Sequence, residues 1–179
     1  SHLLDGGAHV GEVVGEGTLG SVPGTDVNAG YDEIAGITLL SSQEGVHYDF
    51  CEHRPAEISG HVYHDRDDDG NRDPNPGDPS NEEGIGGVTM SLIDVTTGTV
   101  VATTTTNANG FYRFDNLHAG MYRVEEGFPG AEWTDGKDRA GTIRRDGVLV
   151  DAANFGNAKE PDTIRQIKLG YGDVGIDYN

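Results

Sequence analysis

Hydrophobic and polar residues alternate along much of the chain, which is the pattern of half-buried β-strands. The clearest alternations predict strands over residues 58–64, 88–93, 99–106, 111–114, 121–125, 164–169 and 174–178. Turn signals separate these runs, among them the pair Asn109-Gly110. No long segment shows a helical period. We therefore expect an all-β fold in which short strands form a β-sandwich.

The chain also contains an internal repeat. A shift of 130 residues aligns residues 5–49 with residues 135–179 without a gap. Identical pairs include Ile37 with Ile167, Leu39 with Leu169, Gly45 with Gly175, and Tyr48 with Tyr178. Repetition at domain length is typical of a stalk or array. We predict that residues 1–56 are the C-terminal part of a preceding repeat plus a linker, and that residues 57–179 form a nearly complete module.

On its own, the first segment is expected to lack partner strands for residues 34–40 and 46–50. The sequence leaves open whether it packs on the complete module, pairs with a neighbouring chain, or indicates a different module boundary.

Charge sets a second constraint on the fold. The chain has 31 Asp and Glu against 12 Lys and Arg, which gives a net charge of −19. Leu, Ile, Val and Phe make up about a fifth of the residues, close to the level at which highly charged chains stay unfolded. Part of the chain must be disordered, or a cation must compensate the charge.

The same composition excludes several classes of function. An acidic chain without a basic run is not expected to bind nucleic acid or anionic lipid. No apolar run is long enough to span a membrane. The single cysteine, Cys51, excludes an intrachain disulfide and a cysteine-rich zinc site.

The most informative motif runs from residue 65 to residue 73 and reads D-x-D-x-D-G-x-x-D. This is the front part of an EF-hand-type calcium loop. Calcium takes six to eight oxygen ligands, and alternating carboxylates can converge on one ion. The candidate ligands are the side chains of Asp65, Asp67, Asp69 and Asp73 and the backbone carbonyl of Asn71.

The last ligand of the loop is less certain from the sequence. An EF-hand has a bidentate Glu at position 12, and this position is Pro76 here. We predict that Glu82 or Glu83 replaces it, brought back by the Pro-rich segment 74–81. Calcium is expected rather than magnesium, because magnesium prefers fewer protein ligands and keeps its water.

Several motifs together carry a family resemblance. They are ISGHVYHDRDDDGNRD, EEGIGGVTMSLID, TTTTNANGFYRFDNL and HAGMYRVEE, all between residues 57 and 126. In combination they resemble B-type modules of Gram-positive surface adhesins: the Cna-B domains, and in particular the SdrD B-like repeats of serine-aspartate repeat proteins. The resemblance implies a prealbumin-like, Ig-like β-sandwich that binds calcium and serves as a stalk spacer.

The resemblance also implies a ligand set. Its primary members are Asp65, Asp67, Asp69, Asn71, Asp73 and Glu82. Such modules sometimes carry a second metal site, for which the candidates are Asn107, Asn109, Asp115, Asp135 and Asp138.

The sequence thus favours a calcium-stabilised spacer repeat of a bacterial cell-surface or secreted protein, with neighbouring repeats of the same polypeptide as its partners. No signal peptide occurs in the chain, so we expect a segment of a longer exported protein. No motif of a hydrolase or phosphate-binding enzyme appears, and we predict no enzymatic activity. The alternative is an accessory module that binds an extracellular protein or a glycan, with Trp133 as the candidate contact residue.

Overall fold

The computed structural model describes residues 4–9, 12–13, 18–21 and 34–179. Contacts divide the chain into two compact units, Ser1–Arg54 and Pro55–Asn179. Of the predicted N-terminal segment 1–56, residues 1–3, 10–11, 14–17 and 22–33 lie outside the described residues. None of the described residues belongs to a helix long and apolar enough to cross a membrane.

The first unit contains short antiparallel ladders. Its strands are β1 (Leu4–His9), β2 (Glu12–Val13), β3 (Thr18–Ser21), β4 (Ala35–Thr38), β5 (Gly45–Val46) and β6 (Asp49–His53). They form three two-stranded sheets, β1 with β6, β2 with β5, and β3 with β4. The expectation that residues 34–40 and 46–50 lack partner strands within this segment is therefore wrong, because β4, β5 and β6 each pair with an earlier strand of the same unit.

The second unit consists of two five-stranded sheets. Its strands are β7 (Ala56–His61), β8 (Thr89–Asp94), β9 (Thr99–Thr105), β10 (Phe111–Leu117), β11 (Gly120–Glu126), β12 (Thr142–Arg145), β13 (Val148–Leu149), β14 (Asn157–Glu160), β15 (Thr163–Leu169) and β16 (Asp173–Ile176). A single 3-10 turn, Ala152–Asn154, precedes β14. The strand orders are β10-β7-β16-β12-β13 and β14-β15-β11-β8-β9. This arrangement confirms the predicted all-β sandwich.

The core lies between the two sheets and takes side chains from both. Buried residues of the first sheet and its connections include Ile58, Val62, Tyr112, Phe114, Ile143 and Tyr178, and those of the second include Met90, Leu92, Tyr122, Val124, Ile164, Ile167 and Leu169. The alternation along each strand explains the selection, since every second residue points to the same face. Ile58 and Val62, predicted to share a face, are both buried.

The structure differs from the predicted strands in several places, of which two in the module concern the path of the chain. The first strand ends at His61 rather than at residue 64, because the chain then leaves the ladder and begins the acidic loop. Strands β12, β13 and β14 lie in a stretch for which no strand was predicted. They are only two to four residues long, β12 and β14 are mainly polar, and in β12 only Ile143 is buried, so no alternation is visible in the sequence.

The C-terminal strand, β16, lies in the middle of the first sheet, between β7 and β12. β16 pairs in parallel with β7, whereas the other strand pairs of the module are antiparallel. Beyond it, the Tyr178 N–H donates to the carbonyl of Ser59 at 3.2 Å, and the buried Tyr112 hydroxyl donates to the carbonyl of Tyr178 at 2.8 Å. A Cβ added at Gly60 would lie 1.7 Å from the Tyr178 carbonyl oxygen. Glycine at position 60 is therefore what allows the C-terminus to pack on β7.

Gly60→Ala should consequently destabilise the module by about 3 kcal/mol or more. The added methyl group collides with the backbone of Tyr178, which cannot move away without breaking its hydrogen bond to Ser59. Thermal unfolding followed by circular dichroism measures the effect. Gly136→Ala is the matched control, since a Cβ there meets no atom within 4 Å. Equal melting temperatures for the two variants would show that the C-terminal strand does not pack on β7.

Candidate metal centre

The acidic motif lies in the connection between β7 and β8, and the two ends of this connection are joined. Tyr63 forms an antiparallel bridge with Gly84. The His64 N–H donates to the carbonyl of Glu83 at 3.0 Å. These bonds bring the residues just before Gly84 beside the start of the motif, although the Pro-rich segment separates them in sequence.

The front of the motif folds into a turn around its own carboxylates. Asp65 accepts hydrogen bonds from the Gly70 N–H at 2.9 Å and from the Asp69 N–H at 3.3 Å. The Asp69 N–H also lies 3.2 Å from an Asp67 oxygen. Gly70 has a φ of +76°, which favours glycine at this bend. The side chains of Asp65 and Asp67 are thereby held close together.

Glu82 completes the turn from the other end of the connection. Its side chain is buried, with only 2% of the residue exposed. One carboxylate oxygen accepts from the Arg66 N–H at 3.1 Å and the other from the Asp73 N–H at 2.8 Å. The carboxylate therefore joins both sides of the loop.

Three carboxylates converge as a result. Oxygens of Asp65, Asp67 and Glu82 all lie within 4.8 Å of one another. Two oxygens that bind the same calcium ion can be at most about 5.2 Å apart, twice the calcium–oxygen distance. Each pair of these side chains is therefore close enough to share one calcium ion.

Glu83, the other candidate for the last ligand, has different partners. Both of its oxygens accept from the Arg66 guanidinium, at 2.8 and 2.9 Å, and one lies 3.3 Å from Nδ1 of His64. The Arg66 guanidinium is the main reason why the pKa of Glu83 falls to about 2. The geometry therefore favours Glu82 over Glu83 as the side chain that faces Asp65 and Asp67.

The remaining predicted ligands lie on the same turn but outside this group of three. Both oxygens of Asp69 accept from Asn71, at 2.6 Å from its N–H and 2.9 Å from its amide, and these bonds lower the pKa of Asp69. The Asn71 side-chain oxygen accepts from Arg139. Asp73 contributes its N–H to Glu82. Whether these three residues bind metal stays a prediction.

The loop imposes a negative potential on its surroundings. Burial, followed by the charges of Asp65, Glu82 and Asp69, raises the pKa of the Tyr63 hydroxyl to about 12. Two basic side chains near the loop pair with acids outside the group of three converging carboxylates. Arg66 pairs with Glu83, and Lys137 lies 3.1 Å from Asp68.

The five candidates for a second site lie in three different parts of the module. The side-chain oxygen of Asn107 accepts from the N–H of Asn109, at 2.9 Å, and thus shapes its own turn. Asp115 is an exposed residue of β10, and it lies 3.9 Å from Arg113. Only Asp135 and Asp138 line a common cavity. A metal site built from all five stays a prediction.

Asp135 and Asp138 share their cavity with acids that were not predicted as ligands, among them Glu126 and Asp162, and the cavity extends to Asp65 of the acidic loop. Its volume is about 510 Å³. Burial, reinforced by the neighbouring carboxylates, raises the pKa of Glu126 to about 7 and that of Asp138 to about 6. Glu126 and Asp162 escaped prediction because they come from the end of β11 and the turn before β15, which only the fold brings together.

Trp133 lines the same cavity and is half-buried. Its ring packs edge-on against the ring of His64, with the centroids 5.1 Å apart. The tryptophan thus has a packing role in the module, and a role in glycan binding stays a prediction.

The fold and this loop define the class: a β-sandwich module with an acidic loop between its first two strands. The chain belongs to the SdrD B-like domain family, whose sequence model matches residues 56–160, more than half of the chain. This membership confirms the predicted resemblance and the prediction of a non-enzymatic repeat domain.

The relatives are serine-aspartate repeat-containing proteins of staphylococci. Protein C of Staphylococcus aureus (strain MRSA252) is 35% identical over 60% of this chain, and protein I of Staphylococcus saprophyticus is 35% identical over 67%. Protein F of Staphylococcus epidermidis is 29% identical over 86% of this chain. The matches cover only 12%, 5% and 8% of the lengths of proteins C, I and F.

The acidic cavity generates a prediction about pH. Because the folded state raises the pKa of Glu126 from 4.5 to about 7, it binds this proton more tightly than the unfolded state does. Without metal, the contribution of Glu126 to stability is therefore present below pH ~4.5 and is lost as the pH rises towards 7. Glu126→Gln should reduce this loss in the free energy of unfolding between pH ~4.5 and 7 by about 1 kcal/mol or more.

Urea unfolding in EDTA across this pH range measures the difference. The control is Glu125→Gln, because Glu125 is half exposed and pairs with Arg123 at 2.8 Å. It should keep the pH dependence of the unchanged chain. If the free energy of unfolding depends on pH in the same way in the unchanged chain and in both variants, the assignment to Glu126 is refuted.

Proposed function

We propose that the chain is a calcium-stabilised structural spacer repeat of a cell-surface or secreted protein. The observation that carries the proposal is the convergence of Asp65, Asp67 and Glu82 within 4.8 Å. Calcium would take these carboxylates as its first ligands, and oxygens of Asp69, Asn71 and Asp73 would complete its coordination.

The need for a cation follows from the local charge. Residues 65–83 contain eight acidic residues and two arginines, a net charge of −6. Glu82 is buried beside two further carboxylates, and a buried charge is costly unless it has a partner of opposite sign. Its two backbone N–H donors stabilise it in part, whereas a divalent ion would neutralise the whole group.

The spacer role rests on the family and on the repeat. SdrD B-like membership and the 130-residue internal repeat both support a domain that lies in series with others like it. The relatives are far longer than the chain, as expected if many domains are joined in one polypeptide. Neighbouring repeats are then the first partners. A loop held rigid by a bound metal ion would help each module to stay folded outside the cell.

Calcium should therefore raise the melting temperature of the chain above its value in EDTA. At a calcium concentration about 100-fold above Kd, the expected stabilisation is ~2.7 kcal/mol, or roughly 10 °C for a domain of this size. Magnesium should have a smaller effect. Differential scanning calorimetry in EDTA, calcium and magnesium measures the shifts, and an unchanged midpoint in calcium would refute the structural role.

Two matched pairs of variants locate the site. Glu82→Gln and Asp67→Asn should abolish the calcium-dependent shift, because each removes a converging carboxylate. Glu83→Gln and Asp68→Asn should retain it, since these residues pair with Arg66 and Lys137 instead. A loss of the shift in Glu83→Gln with its retention in Glu82→Gln would overturn the ligand assignment.

A further inference from the structure

The outer face of the second sheet, β14-β15-β11-β8-β9, carries a buried apolar side chain that does not belong to the core. Ile93 is 2% exposed, but it is not part of the cluster between the two sheets. The preceding residue, Leu92, is in that cluster, so Ile93 points to the opposite face of β8. Side chains of the outer face must therefore cover it.

Further apolar residues lie beside Ile93 on this face. Val100 of β9 is its cross-strand partner and is 58% exposed. Val95 follows Ile93 by two residues, and its N–H donates to the carbonyl of Met121 at 2.9 Å. Val95 and Met121 are 42% and 38% exposed. These four residues form an apolar patch that is partly open to solvent.

Three basic side chains border the apolar patch. Arg123 of β11 is paired with Ile93, and Lys168 of β15 is paired with Met121. Arg165 lies on β15 opposite Arg123. Residues opposite each other on neighbouring strands have their Cβ atoms about 4.5–5.5 Å apart, so the basic and apolar groups form one continuous surface.

A β-bulge turns Arg165 towards this face. Between two regular pairs, Arg123 is opposite two residues of β15, Arg165 and Gln166. Gln166 has a φ of +59°, and its side-chain oxygen accepts from the Asn157 amide at 2.9 Å. The extra residue keeps the isoleucines on both sides of it in the core, whereas Arg165 and Gln166 are exposed.

The stability of the sheet does not explain this grouping of charge. Like charges on opposite strand residues are destabilising, and Arg123 faces Arg165. Among the described residues of β8, β9, β11 and β15 that point outwards, Glu125 is the one acid, and it pairs with Arg123 at 2.8 Å. Lys168 forms no ion pair with any side chain that the structure describes. A chain with a net charge of −19 thus presents a positive face here.

We propose that these four apolar and three basic residues, the outer patch, are a docking surface for an acidic segment of another protein. The charge of the patch selects an acidic partner. Its apolar centre selects a protein, because a polysaccharide or a nucleic acid has few apolar groups to cover it. A second copy of the chain is disfavoured, since two chains with a net charge of −19 repel each other. The outer patch shares no residue with the acidic loop, so the proposal does not depend on calcium.

The test uses a blocked peptide of about ten residues in which Glu alternates with Val, titrated into the isotope-labelled 179-residue chain in EDTA at low salt. We expect the amide signals of β8, β11 and β15 to shift, and those of β12 and β13 to stay in place. Two anionic probes without apolar groups, heparin and a peptide in which Glu alternates with Ser, should bind at least ~10-fold more weakly.

Two matched pairs of variants locate the contact. Lys168→Glu should weaken binding of the Glu-Val peptide about tenfold or more, because it reverses a charge of the outer patch. Arg144→Glu, at an exposed basic residue of β12, should not. Val100→Ser should weaken binding as well, whereas Val148→Ser, at a valine that is 70% exposed on β13, should leave it unchanged. All four residues are exposed, so the melting temperatures should stay the same.

Several results would overturn the proposal. These include the absence of shifts on this face and equal weakening by Lys168→Glu and Arg144→Glu. Equal affinity for heparin or for the Glu-Ser peptide would also overturn it, because the surface would then recognise charge alone. Light scattering that shows the chain to be a dimer and Lys168→Glu to be a monomer would identify a second copy as the occupant instead.

Discussion

The carboxylate of Glu82 is the constraint on which the acidic loop depends. It is buried, it accepts one backbone N–H from each side of the loop, and it faces the side chains of Asp65 and Asp67. Such a group stabilises the loop only when its charge is compensated, since buried like charges repel strongly. A divalent cation would neutralise this group of carboxylates and hold together the two ends of the connection between β7 and β8.

The surrounding structure separates two kinds of acidic residue. Those on the outside of the loop have basic partners: Asp68 pairs with Lys137, and Glu83 pairs with Arg66. Those on the inside have backbone donors and one another. This division explains how a chain with a net charge of −19 folds around a small core, because much of the charge within one loop is arranged for pairing or for metal. Burial and like charges also meet at Glu126, in a cavity that Asp65 of the loop lines as well.

The sequence predicted those features that depend on local patterns. Alternation located β8, β9, β10 and β15, and the D-x-D-x-D-G spacing located the turn that holds Asp65 and Asp67. The spacing alone could not choose between Glu82 and Glu83, because adjacent residues differ only in which partner the fold gives them, whereas the family resemblance implied Glu82. It also missed β12 and the approach of Glu126 to Asp162, which depend on tertiary pairing rather than on periodicity.

The repeat shows how much one half of a sandwich depends on the other. Ile167 is buried, whereas Ile37, the equivalent isoleucine in the first copy of the repeat, is exposed. Burial at this position therefore depends on the rest of the module and not on the repeated segment alone. Gly60 illustrates the same dependence, because its missing side chain matters only where the C-terminus packs on β7.

The most direct test of the calcium assignment is a crystal structure of the chain grown in calcium, with an anomalous difference map collected at long wavelength. We expect a peak between Asp65, Asp67 and Glu82, with oxygens of all three about 2.3–2.6 Å from it. A map without a peak in the loop, or a peak coordinated by Glu83 in place of Glu82, would contradict the account.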